Sequence, residues 1–298
     1  MHNETVRIGT LVNAGQKSPD YIRQILPHGF ESFQISFWQE LGGCDLKKLA
    51  AETREALAAS GAVVSSLAVF GNPLDPAARK NAETVEAWKA CIGAAKAFGC
   101  DLVCGFAGRL IDRPIDESIP AYRTFWGEMS RRAADGGVRI AFENCEMGGN
   151  WRRGDFNIAT IPAAWELMFD ALPAENIGLC WEPCHQMVKL IDPMPQLRRY
   201  VRRIFHVHGK DATVLWDVVR EHGIAGPKPF AFHRTPGFGD SNWTDIISEL
   251  RRGGFVGSID IEGWHDPVYR EELEMTGQVA GLNYLKRCRA AFVPNPHV

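Results

Sequence analysis

The chain has 298 residues, of which 45% are apolar and 23% charged, and its formal net charge is −3. That balance suits a soluble globular protein with a large core and argues against disorder outside the termini. The slightly acidic charge argues against a surface built to hold nucleic acid by counterion release, and no apolar run approaches membrane-spanning length.

Met1 to Thr5 carry no apolar leader core, so a cytoplasmic protein is expected. Val6 to Thr10 is a short apolar run, a first strand. Ser18-Pro19-Asp20 then supplies an N-cap, a proline at the first helical position and an acidic first turn, which starts a helix. Phe33 to Phe37 reads as a second strand, closing on Phe37-Trp38. Asp45 caps a helix whose apolar positions Leu46, Leu49, Ala50 and Leu57 recur at helical spacing until Gly61. Val63 to Phe70 is a β-branched strand, and Ala77 to Phe98 a long Ala-rich helix stopped by Gly99. Leu102 to Phe106 gives the fourth strand, and a helix from about Ile119 to Ala134 follows.

The next four strand-like runs each end in a side chain able to bind a metal. Arg139-Ile-Ala-Phe-Glu143 is followed by a loop from Asn144 to Asn157 and a helix near Ile161 to Leu172. The run from Ile177 ends at Glu182 and precedes a helical stretch near Pro195 to Val201. The run from Ile204 ends at His208, ahead of a long connection from Gly209 to Ser241 and a helix from Asn242 to Arg252. The run from Ser258 ends at Glu262, before a helix from about Tyr269 to Ala291. A connection as long as 209–241 in a compact domain is expected to be a lid or binding loop at the active-site mouth.

Eight strand-helix repeats over residues 1–298 predict a single-domain (β/α)8 TIM barrel. An open doubly wound sheet is the alternative, but it calls for a Gly-rich phosphate turn, and neither G-x-G-x-x-G nor a P-loop is present. In a barrel the strand C-termini open on one face, so Glu143, Glu182, His208 and Glu262 can converge although they are distant in sequence. Three carboxylates and one imidazole make a hard, oxygen-rich site, suited to one divalent ion, Mn²⁺ first and Mg²⁺ or Co²⁺ next. The eight cysteines include no Cys-x-x-Cys, so buried thiols are expected, although Cys145, Cys180 and Cys184 fall close to the proposed ligands.

Glu143-Asn144, the acid-x-x-His element Glu182-Pro183-Cys184-His185, His206-Val207-His208-Gly209-Lys210-Asp211 and Ile261-Glu262 together resemble the sugar phosphate isomerase/epimerase superfamily of xylose isomerase-like barrels. The resemblance spans the chain. It implies that Glu143, Glu182, His208 and Glu262 bind the metal and that His185 faces substrate. It further implies a small-molecule carbohydrate, and isomerisation or epimerisation of a keto sugar or related polyol by proton abstraction beside a carbonyl through a metal-bound enediolate. Glu143 and Glu262 are the expected proton-transfer pair. Two departures stand out: the superfamily has Asp where Glu182 stands, and its ketose epimerases carry Arg at the position of Val214.

Lys210 and Arg234 are further candidates for holding substrate, although Lys210 can equally pair with Asp211, and Arg234, in the long loop, reads by default as a solvated surface residue. Trp38 and Trp264, each just after a strand end, are candidate stacking faces for a sugar ring. His206 points to the same side as His208 and reads as a barrel-lining residue. The same chemistry would make the protein a lyase or dehydratase if a β-substituent left a 3-keto sugar, glycoside or inosose. An apurinic endonuclease would need extra histidines where Phe70-Gly71-Asn72 and Phe106-Ala107-Gly108 stand. A sugar-binding protein without catalysis has only the Glu182 departure in its favour. Substrate phosphorylation and homo-oligomerisation are left open by the sequence.

Overall fold

The computed structural model describes residues 6–293, so the stretch Met1 to Thr5 read above lies outside the described residues. The strands β1 (Arg7–Asn13), β2 (Ser32–Trp38), β3 (Val63–Phe70), β4 (Leu102–Gly105), β5 (Arg139–Glu143), β6 (Ile177–Trp181), β7 (Ile204–Gly209) and β10 (Ser258–Ile261) form a closed eight-stranded barrel in the order β1-β10-β7-β6-β5-β4-β3-β2. This is the expected TIM barrel. It leaves β8 (Asp211–Val214) and β9 (Ala231–Arg234) as a separate two-stranded antiparallel sheet.

Residues 11–181 with 203–207 form one compact unit. In it the helices α1 (Ser18–Ile25), α2 (Leu46–Leu57), α3 (Asn81–Phe98), α4 (Ile119–Asp135) and α5 (Pro162–Ala171) alternate with β2 to β6. Asp45 caps α2 by accepting from the amides of Lys47 and Lys48, as its position predicts. Helix α3 begins four residues later than Ala77, because Lys80 adopts a left-handed φ of 58° that no α-helix continues through. Core packing is aromatic: Trp88 and Trp126 meet edge to face with centroids 4.8 Å apart, and Phe142 packs on Trp126 at 4.6 Å. Two glycines allow strands to pass closely. A Cβ on Gly105, whose φ is +149°, would lie 2.0 Å from Val69 O, and one on Gly178 would lie 2.4 Å from Arg203 O. Gly178 therefore sets how tightly β6 lies on the start of β7.

Among the described residues, 6–10, 182–202 and 208–293 form the second unit. It contains α6 (Cys184–Met187), α7 (Pro193–Tyr200), the β8–β9 hairpin with α8 (Trp216–His222) between its strands, α9 (Trp243–Arg252), β10 and α10 (Glu274–Arg289). The connection 209–241 is thus an ordered hairpin and helix, more built than the lid or loop expected. Asp211 anchors its root, accepting from Ala212 N at 2.8 Å, Ser241 N at 3.1 Å and Trp243 Nε1 at 3.1 Å. Asp266 anchors its far strand, accepting from Arg234 Nε at 3.1 Å and Thr235 N at 2.9 Å.

Candidate active site

Each proposed ligand stands within one residue of the C-terminal end of a barrel strand, where side chains face the mouth. Glu143 is the last residue of β5. Its carbonyl accepts from Asn157 Nδ2 at 2.7 Å, and the same amide reaches Cys145 O at 2.8 Å, so the chain on both sides of Asn144 is fixed by one side chain. Glu182 follows β6 directly, with Pro183 as the N-cap of α6, and the short helix returns His185 to it: His185 Nε2 lies 2.9 Å from Glu182 Oε1. His208 lies near the end of β7, and its Nδ1 is 3.5 Å from Glu262 Oε2. Glu262 follows β10, and its amide donates to Gly209 O at 3.2 Å, which ties the two strand ends together.

One donor atom from each of Glu143, Glu182, His208 and Glu262 lies within 4.8 Å of the others, and all four residues are buried. Lys210, 2% exposed, donates to Glu262 Oε1 at 2.7 Å. Three carboxylates gathered in a buried volume repel one another, and a bound cation would relieve that repulsion. The donor set fits a divalent ion with oxygen preference.

Burial alone would raise the Glu262 carboxyl, but Lys210 and hydrogen bonds from His208 and His265 outweigh it and hold the group well below the usual carboxylate range. Burial pushes the Cys184 thiol up, so it stays protonated despite its place between Glu182 and His185. All eight cysteines are outside disulfides, as expected.

Of the expected substrate contacts, His185 and Lys210 are at the ligand set, with Lys210 Nζ 3.4 Å from His185 Nε2. Lys210 donates to Glu262, and its neighbour Asp211 accepts from Trp243 at the root of α9. Arg234 is not a solvated surface residue; it sits on β9 in an ion pair with fully buried Asp266. Trp264 is half-buried, its ring 5.9 Å from that of His265. Trp38, 55% exposed, lies 6.2 Å from Phe156 and lines a cleft of about 320 Å³ with Gln16, Phe37 and Leu41.

Two histidines escaped the sequence reading. His265 Nε2 lies 3.1 Å from Glu262 Oε1. His233, on β9, stands between His185 and His265, with centroid distances of 5.2 and 5.8 Å. Burial first, then the positive charge of Lys210 and the flanking imidazoles, lowers His233 to about 3, so it is neutral at ordinary pH. The signal for His265 was present, since Glu262-Gly-Trp-His265 repeats the acid-x-x-His spacing of Glu182-Pro-Cys-His185. His233 had no local signal.

A family model described as the xylose isomerase-like TIM barrel matches residues 22–288. The chain belongs to that family. Solved xylose isomerase-like barrels and related folds superimpose along nearly its whole length. The 3-keto-D-glucoside 4-epimerase YcjR of E. coli has a TM-score of 0.70 at 15% identity, covering 95% of this chain and 100% of that one. D-Psicose 3-epimerase of Clostridium cellulolyticum H10 reaches 0.71 at 13%, covering 96% and 100%, and mannonate dehydratase of Streptococcus suis serotype2 reaches 0.71 at 13%, covering 95% and 94%. At these identities the likeness is one of fold. The rhizopine catabolism protein MocC of Rhizobium meliloti is 28% identical over 157 residues, which are 51% of this chain and 44% of that protein. The match spans less than half of that curated relative. Among the described residues no helix is long and apolar enough to cross a membrane.

Proposed function

We propose that the protein is a divalent-metal-dependent isomerase or epimerase of a keto sugar or related polyol, with Glu143, Glu182, His208 and Glu262 as the metal ligands. The observation that carries this reading is the buried group of three carboxylates and one imidazole within 4.8 Å. Mn²⁺ is the preferred ion, with Mg²⁺ or Co²⁺ as substitutes. When bound, such an ion supplies Lewis-acid polarisation of a substrate carbonyl and its neighbouring hydroxyl.

The side chains do the proton work. Glu143 and Glu262 come from strands on either side of the Glu182 and His208 strands, so they address a sugar carbon from different directions and form a removal and return pair. Lys210 keeps Glu262 ionised and able to accept. His265, hydrogen-bonded to Glu262 and 45% exposed at its side chain, offers a path for the proton toward solvent. His185 and Lys210 hold substrate oxygens, Arg234 contributes from the hairpin side, and Trp38 and Trp264 give apolar faces for the ring. Incubation of candidate keto sugars in deuterated solvent tests this directly. Deuterium should enter the carbon beside the carbonyl, with mass otherwise conserved, and a substrate turned over with no exchange or transfer of that hydrogen would overturn the enediolate chemistry.

The lyase reading keeps one specific support: the Lys210 ammonium, 2.7 Å from Glu262 Oε1, is a proton donor placed to assist departure of a β-hydroxyl or alkoxide. Under this reading a 3-keto sugar, glycoside or inosose loses water or aglycone. The relative named for rhizopine catabolism places compounds of that catabolism in the same screen.

A further inference from the structure

A second set of donors lies beneath the oxygen-rich one. In the barrel register Glu143 on β5 is opposite Cys180 on β6, and Cys180 is opposite His206 on β7. Residues paired in this way share a face, so the three form one row across three strands. Two residues further along the same strands, on the same side, stand Glu182 and His208. The barrel interior is therefore stacked in layers here, as such barrels are, with Glu182 and His208 in the upper layer and Glu143, Cys180 and His206 in the row below. Cys180 Sγ and one ring nitrogen each of His206 and His208 lie within 4.8 Å of one another. None of the three residues is more than 1% exposed. Cys180 also belongs to a buried cluster with Ala68, Phe70, Cys104, Phe106 and Ala141.

We propose that Cys180, His206 and His208 form a second cation site, selective for a borderline-soft ion such as Zn²⁺ or Co²⁺. One thiolate and two imidazoles match the tetrahedral nitrogen and sulfur preference of Zn²⁺, whereas Mn²⁺ and Mg²⁺ favour the oxygens of the upper set. The enclosure fits the same assignment, since Cys180, His206 and His208 are all buried with their donor atoms turned toward one another. As the sulfur–metal bond forms, the S–H bond breaks and its proton leaves to solvent, one per ion bound. The fourth position is left to water or an oxygen from the layer above. The site is independent of the enediolate reading and shares only His208 with the proposed hard-ion set.

Full-length protein stripped by chelation and titrated with Co²⁺ provides the test, read as thiolate-to-cobalt charge-transfer absorption in the near ultraviolet. Mn²⁺ binding to the same protein, followed by electron paramagnetic resonance, reports the upper set separately. Wild-type protein should develop the cobalt band, and Cys180→Ser should lose it while binding Mn²⁺ unchanged. Should Cys180→Ser fail to fold, His206→Gln gives the answer, with the Co²⁺ concentration needed to develop the thiolate band raised about tenfold or more and Mn²⁺ affinity retained. Absence of the band in wild-type protein overturns the site. So does a band that persists in Cys180→Ser, or one that develops at unaltered Co²⁺ concentration in His206→Gln. Failure of Mn²⁺ binding with the cobalt band intact would count against the proposed function and leave this site standing.

Discussion

Lys210 and Glu262 form a buried ion pair, ammonium to carboxylate at 2.7 Å, inside the proposed ligand set. The lysine offsets part of the charge that Glu143, Glu182 and Glu262 bring together, and it holds Glu262 ionised. Lys210→Met therefore removes one partner of a buried pair, a change that costs about 3–5 kcal/mol. Chelated variant protein should melt at lower temperature than chelated wild type, with Mn²⁺ restoring part of the loss. Its kcat should fall about 10²-fold or more, because a charge placed for the transition state is missing. Equal melting temperatures for the two chelated proteins would show that the pair contributes nothing.

Glu143→Gln keeps size and removes both charge and basicity. Steady-state assays should show a loss of about 10²–10⁴-fold in kcat, the range for a general base, with an unchanged circular dichroism spectrum. Glu182→Asp retains the charge but withdraws it by one methylene from His185, now 2.9 Å away. It should keep measurable activity and bind Mn²⁺ about 10- to 100-fold more weakly by calorimetry.

Asp266 holds the hairpin in place. Burial would raise its carboxyl, but the amides of Tyr269, Thr235 and Val268 and the Arg234 guanidinium outweigh burial and lower it. A carboxyl depressed in the folded state contributes stability above its unfolded value, about 3.9, and loses it as pH falls through the folded value. Asp266→Asn should lower stability at pH 7 by about 1–3 kcal/mol in urea titrations. The gap from wild type should narrow as the solution is acidified below about pH 4.

His233 works with the opposite sign. Its folded value of about 3 lies below the unfolded value of about 6.5, so between these limits the unfolded chain binds a proton that the native one does not. Stability is then lost as pH falls through that window. The imidazole resonances of His233 should stay flat from pH 8 to pH 5, and His233→Gln should lose less stability over that interval than wild type.

The parts of the molecule written in local patterns were readable before any coordinates. Arg139 to Glu143 was bounded to the residue, because an apolar run closing on a carboxylate is both a buried strand and its end. Asp45 and Asn242 cap their helices by accepting the amides two and three residues on, a relation that depends on adjacent sequence alone. The hairpin was not readable. Its strands are four residues each, and they pair Asp211 with Arg234 across an intervening helix, so no short-range alternation records them. His233 went unseen for that reason. The partners of Lys210, Asp211 and Arg234 are likewise set by distant residues, Glu262, Trp243 and Asp266. Neighbours on an extended chain face opposite ways, so Lys210 and Asp211 each reach a distant partner that adjacency in sequence does not reveal.

The most direct test of the account is the number of Mn²⁺ ions bound by exhaustively chelated protein, measured by equilibrium titration. One ion per chain in the wild type, with binding lost when Glu143 and Glu262 are both changed to Gln, is the result expected of a single buried cation held by those carboxylates. Mn²⁺ that fails to bind, or binds unaltered in the double variant, would contradict it.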